Sequence, residues 1–194
     1  MATKVWLDTD IGTDVDDVVA LSLALLSPEI ELVGVSAVYG DVALRSRMAL
    51  KMLALAGRDD MPVFAGCERP LLGERPVYWA GWEGEGLLGP EDECLEPSPK
   101  HAVDALIEAI DENEGEVVLV SIGPLTNVGL ALTKDPTIAH KVRLLLVMGG
   151  VCRLGAGGLD LPFAEHNVAC DPEAASIVFR CGAPTVMVGP EVDG

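Results

Sequence analysis

VWLDTDIGTDVDDVVALSLALL, residues 5–26, places a short apolar run directly before five carboxylates in ten residues, Asp8, Asp10, Asp14, Asp16 and Asp17, and then a second apolar run. Val5-Trp6-Leu7 reads as a buried strand and Asp16 to Leu26 as a helix, so the stretch is a strand–loop–helix unit whose loop is acidic. Two like charges about 4 Å apart repel by ~1 kcal/mol in water and ~4 kcal/mol at an effective dielectric near 20. Such a loop calls for something that offsets this repulsion.

The same rhythm continues along the chain. Glu31 to Val38, Pro62 to Phe64, Val117 to Ser121, Val142 to Met148 and Thr185 to Val188 read as strands. Ala43 to Ala56, His101 to Glu112, Leu125 to Thr133 and Asp171 to Cys181 read as helices between them. Apolar strands alternating with helices predict a doubly wound α/β fold with a Rossmann-like core: a mainly parallel sheet covered by helices on both faces, built as a single domain over residues 1–194. Residues 68–99, rich in Gly, Pro, Glu and Trp, break the rhythm and read as a long loop. Gly149 to Gly158 is a flexible stretch, and no GK[ST] follows it, which excludes a Walker phosphate loop.

Ligands of open parallel sheets bind beyond the carboxyl ends of the strands. The unusual residues of this chain fall there: Asp8 and Asp10, then Tyr39-Gly40-Asp41, then Ser121 to Asn127, then Met148-Gly149-Gly150.

A net charge of -18 argues against nucleic acid and against anionic membranes as partners, and favours cations or small polar ligands. The apolar runs are too short to span a bilayer and the N-terminus lacks a signal-peptide pattern, so a soluble cytoplasmic protein is expected. Cys67, Cys94, Cys152, Cys170 and Cys181 form no CxxC pair and read as reduced thiols, mostly in the core.

A solvated turn whose acids favour the N-terminus of the following helix accounts for Asp14, Asp16 and Asp17, but not for Asp8 and Asp10, which leave a buried strand. Carboxylates without nearby His or Cys suit a hard cation. An EF-hand is excluded, because Gly12, Thr13 and Val19 stand where its fifth, sixth and twelfth positions require other residues. A magnesium-dependent phosphatase of the haloacid-dehalogenase type is one alternative, with Asp8 as phosphoryl acceptor, Asp10 handling protons and Ser121 nearby. A non-catalytic remnant that binds calcium or ribosides is another.

DTDIGTDVDD with Val18-Val19-Ala20-Leu21, GPLTN at 123–127, Met148-Gly149-Gly150, and Glu165-His166-Asn167 before Asp171-Pro172-Glu173 resemble, in order, the motifs of the inosine-uridine-preferring nucleoside hydrolase family. The resemblance implies calcium-dependent hydrolysis of the N-glycosidic bond of ribonucleosides. It implies Asp10, Asp17 and the main-chain carbonyl of Thr126 as calcium ligands, with Asp10 also the base toward a metal-bound water. It further implies Asp16, Asp41, Glu165 and Asn167 as ribose contacts, Asp8 and Asn127 as supports behind them, and homo-oligomers, dimers or tetramers. For Glu165 and Asn167 a polar loop before a helix is the plainer alternative, and for Asn127 a helix cap.

The departures from the family pattern are Asp41 in place of Asn, His166 in place of Phe, and Leu159 or Asp160 in place of an Asn upstream of Pro162. His166 and Cys170 have i,i+4 spacing but precede the expected helix, so His166 reads as a structural histidine. Family chains run on by roughly half as much again, carrying another calcium-ligating Asp. The chain is therefore expected to be C-terminally incomplete, to bind calcium weakly and to have little or no activity alone.

Overall fold

The computed structural model describes residues 2–150 and 164–189. Cys152, Leu159, Asp160, Pro162, most of the Gly149 to Gly158 stretch and Val192-Asp193-Gly194 lie outside the described residues. Six strands, β1 (Thr3–Thr9), β2 (Ile30–Ala37), β3 (Val63–Ala65), β4 (Val118–Ser121), β5 (Leu144–Met148) and β6 (Thr185–Val188), form one sheet in the order β3-β2-β1-β4-β5-β6. Every pairing is parallel. This is the doubly wound order, and the point where it reverses, between β1 and β4, is where such sheets open a crevice.

Side chains alternate across β1, and the two apolar cores follow from that period of two. Val5 and Leu7 join Leu32 and Val35 beneath the helices α1 (Asp16–Leu26) and α2 (Val42–Leu55), which contribute Leu21, Met48 and Leu53. Trp6 faces the opposite layer with Leu119, Leu145 and Val147. That layer is covered by α3 (Ala102–Glu112), α4 (Thr126–Lys134), α5 (Ile138–Lys141) and α7 (Pro172–Arg180), through Leu106, Val128, Ile138 and Val178. Asp8 shares the parity of Trp6, so strand periodicity turns it toward the α4 side, where it meets Asn127.

Two short helices escaped the sequence pattern. α5, and α6 (His166–Cys170), are four and five residues long, too short to display a 3.6-residue period. The segment 68–99 is largely irregular, with one 3₁₀ turn at Pro90–Cys94. The expectation of core cysteines is corrected: Cys94 is exposed, and Cys67, Cys170 and Cys181 are only partly buried. Among the described residues, no helix is long and apolar enough to cross a membrane.

The register of β1 on β2 slips by one residue, pairing Val5 with Leu32 and then Trp6 with Gly34. The Trp6 ring lies over Gly34 and stacks on Phe64, with centroids 5.4 Å apart. A Cβ at Gly34 would stand 2.3 Å from the ring, which is 1% exposed and cannot yield. Gly34→Ala is therefore expected to destabilise the fold by about 1–3 kcal/mol through overpacking, read from the midpoint of a urea titration.

Candidate active site

Asp8 is the anchor behind the site. It is fully buried and accepts hydrogen bonds from Ser36 Oγ at 2.5 Å, Asn127 Nδ2 at 2.8 Å and Ser121 Oγ at 3.4 Å. Ser36 in turn accepts from Trp6 Nε1 at 2.9 Å, so β1, β2, β4 and α4 are tied through one carboxylate. Burial pushes the Asp8 carboxyl up to about 6. An enclosed, triply bonded carboxylate is poorly placed to receive a phosphoryl group, which removes the physical basis of the phosphatase reading. Asn127 is not a helix cap: its amide also donates to Ala37 O at 3.2 Å, and its carbonyl accepts from the Cys67 N–H at 2.8 Å.

Beyond Thr9 the chain leaves the sheet and wraps around a buried arginine that sequence reading missed. Arg45, on α2, donates from Nε to Tyr39 O at 2.7 Å, from Nη1 to the carbonyls of Asp10 and of Ile11 (2.8 Å), and from Nη2 to Thr13 Oγ1 at 3.4 Å. Its guanidinium lies 5.1 Å from the centre of the Trp79 ring. The irregular segment closes on the same turn: Trp82 Nε1 donates to Thr13 O at 3.2 Å, and Thr13 Oγ1 donates to Glu83 at 3.3 Å. The only signals in the sequence were an arginine among the apolar positions of α2 and an aromatic cluster in a loop.

The five acids of the loop thus separate. Asp14 and Asp16 are exposed. Asp10 and Asp17 are 9% and 8% exposed, and Thr9 Oγ1 donates to Asp17. Val15 occupies the N-cap of α1 with no side-chain cap, so capping is not what these acids do. Burial, and then the Asp10 charge, push the Asp17 carboxyl up to about 8. Burial also raises Asp10, opposed by the charges of Arg45 and His166. Among the described residues, no ion pair joins either carboxylate to a cationic side chain, because Arg45 spends its donors on carbonyls.

These raised values fix a pH dependence. The folded state holds protons on Asp8 and Asp17 that the unfolded chain, near 3.8, has released, so stability falls as pH rises from about 4 to about 8. Thermal midpoints of metal-free protein are expected to decline across that window, and Asp17→Asn is expected to flatten the decline.

Opposite the acids, Glu165 caps α6. It accepts from the N–H groups of Gly150 (2.7 Å), Asn167 (2.8 Å) and Val168 (3.0 Å). Buried Asn167 donates to Ile122 O at 2.8 Å and Met148 O at 3.2 Å, tying down the ends of β4 and β5. A cavity of about 380 Å³ lies between, with Asp10, Asp14, Asp16 and Asp17 on one wall, Glu165, His166 and Asn167 on the other, and Tyr78 and Trp82 at its rim. Its size suits a small organic ligand.

The structure does not bring every expected residue to this cavity. Asp41 is exposed, and its carboxylate caps α2 by accepting the Leu44 N–H at 2.9 Å, so the expected ribose contact gives way to a capping role. Thr126 is buried at the start of α4, its hydroxyl donating to Asp171 at 2.7 Å, and it does not line the cavity. His166 and Cys170, expected before a helix, lie on α6 itself.

The donor chemistry of Asp10 and Asp17, two buried carboxyl groups with no ion-pair partner among the described residues, fits a hard divalent cation. The approach of β4 is also close, since a Cβ at Gly123 would fall 2.8 Å from both Asp10 N and Asp10 Oδ1. The pair is a partial ligand set: among the described residues, no group of three or more His, Cys, Asp or Glu side chains is placed to hold a metal ion.

Comparison with known proteins bears on the family and the fold. The chain is 38% identical to uridine nucleosidase 1 of Arabidopsis thaliana over 193 residues, covering 96% of this chain and 56% of the relative. It is 38% identical to the pyrimidine-specific ribonucleoside hydrolase RihA of Enterobacter sp. (strain 638) over 198 residues, covering 99% and 61%. Among solved structures, a plant nucleoside hydrolase superposes with a TM-score of 0.87 at 37% identity, covering 98% of this chain and 61% of that one. A purine-preferring ribonucleoside hydrolase from Gardnerella vaginalis gives 0.82 at 33% identity, covering 96% and 60%. The chain thus spans 56–61% of the length of these relatives. The model of inosine-uridine preferring nucleoside hydrolases matches residues 5–193, nearly the whole sequence, and the chain belongs to that family.

Proposed function

We propose that this chain carries the metal- and ribose-binding rim of a calcium-dependent ribonucleoside N-ribohydrolase, which uses water to split the N-glycosidic bond into ribose and free base. The observation that carries this reading is the buried Asp10–Asp17 pair, just beyond β1 and at the start of α1, on the wall of the cavity and, among the described residues, without an ion-pair partner. Asp10, Asp17 and the main-chain carbonyl of Thr126 are the residues that would hold calcium. When bound, such an ion lowers the pKa of a coordinated water. Asp10 is the group that takes the proton as water attacks the anomeric carbon.

Asp16, Glu165 and Asn167 are assigned to the ribose hydroxyls. Glu165 and Asn167 are held rigid by their backbone partners, which keeps the sugar subsite preorganised. Positive charge develops on the sugar as the base departs, and a wall of four carboxylates favours it. The rings of Tyr78 and Trp82 offer the base an apolar face at the rim. Asp8 and Asn127 act by holding β1 and α4 in place. The assembled protein is proposed to be a homo-oligomer.

Incubation of the full-length protein with inosine, uridine and p-nitrophenyl phosphate, with calcium or with magnesium, tests the reading. Ribose is expected from one or both nucleosides in calcium, with no phosphate from the ester. Phosphate release without ribose would overturn it.

A further inference from the structure

We propose that Cys170 and His166 form a binding site for a thiophilic divalent cation of the zinc class, on the outer side of the wall that bounds the substrate cavity. The two side chains stand one turn apart on α6, and Cys170 Sγ lies 3.5 Å from His166 Nε2, so sulfur and imidazole nitrogen already converge on one point. The Tyr39 hydroxyl accepts the Tyr78 N–H at 2.8 Å, and both tyrosines line the same cavity as the pair. Tyr39 is itself held in an unusual backbone conformation, φ 67°, the only positive φ outside glycine among the described residues.

The geometry around the pair is open to a metal ion. His166, Cys170, Tyr39, Tyr78 and Arg75 line a second cavity of about 390 Å³, and Tyr78 and His166 also line the substrate cavity. The His166 ring is confined edge-on by Tyr39 and Tyr78, with centroids 6.2 and 5.9 Å away, so little side-chain entropy remains to be lost on coordination. Thiolate with imidazole is the soft donor set that selects zinc-class ions over calcium, whereas the Asp10–Asp17 pair has the opposite preference. Binding breaks the Cys170 S–H bond and forms a sulfur–metal bond, and the proton passes to solvent. Two protein ligands leave the remaining positions to water, which implies an exchangeable site. Because His166 belongs to both cavities, an ion here would fix its ring at the substrate wall.

The test uses cadmium chloride, whose thiolate complexes absorb in the ultraviolet, with zinc chloride as competitor. The expected result is a thiolate–metal absorption saturating at one equivalent per chain and displaced by zinc. It should be lost in Cys170→Ser and appear only at tenfold or more higher metal in both His166→Phe and His166→Gln, with circular dichroism reporting that each variant is folded. Absorption that persists in Cys170→Ser would overturn the site, because another cysteine would then be the ligand. Absorption lost in Cys170→Ser but unmoved by both His166 variants would also overturn it, since a lone thiol needs no imidazole.

Discussion

In the full-length protein, Asp10→Asn is expected to lower ribose release from inosine or uridine by at least about 10²–10⁴-fold, the usual contribution of a positioned proton acceptor, with KM moving far less than kcat. The amide keeps the volume and the strand geometry of Asp10 but can neither take a proton nor supply full anionic charge to a cation. Asp8 is enclosed by Ser36, Ser121 and Asn127, and Asp14 and Asp16 are exposed at the mouth of the cavity. Comparison with Asp14→Asn separates the base from general acidity of the wall: on this account Asp14→Asn changes the rate less than tenfold.

The second large effect is on stability. Arg45→Leu is expected to cost about 3–5 kcal/mol, read by urea denaturation, and to abolish calcium binding. Leucine fills much of the volume but leaves the carbonyls of Tyr39, Asp10 and Ile11 without their donor, at about 1–3 kcal/mol for each buried group left unpaired. It also removes a positive charge that acts on both Asp10 and Asp17. Arg45→Lys should recover only part of the loss, because an ammonium cannot spread its donors across this turn as a planar guanidinium does. A cost below about 1 kcal/mol for Arg45→Leu would mean that the acidic loop is held by other contacts.

The β1–loop–α1 unit was legible in the sequence because its signals are local: an apolar strand, a run of acids and an apolar helix follow each other without a break. The meeting of Asp8 and Asn127 followed from the rule that parallel sheets bind at their carboxyl ends, whereas Asn167 was implied only by the family resemblance. What stayed hidden depends on contacts between distant segments. Arg45 reaches back about 35 positions to Asp10, and Glu83 and Trp82 reach about 70 to Thr13. No period or motif encodes such a pairing. A carboxylate after a strand has two uses, ligand or cap, and the capping role of Asp41 shows only in the Leu44 contact. His166 and Cys170 were placed before a helix because five residues are too few to announce one.

The claim that the buried Asp10–Asp17 pair holds a cation is tested most directly by calorimetric titration of calcium into the metal-free protein near pH 7.5. One calcium per chain is expected, with proton release on binding as Asp17 gives up the proton that burial had kept on it, and loss of both signals in Asp17→Asn. Calcium binding of equal strength in the wild-type chain, Asp10→Asn and Asp17→Asn would contradict it.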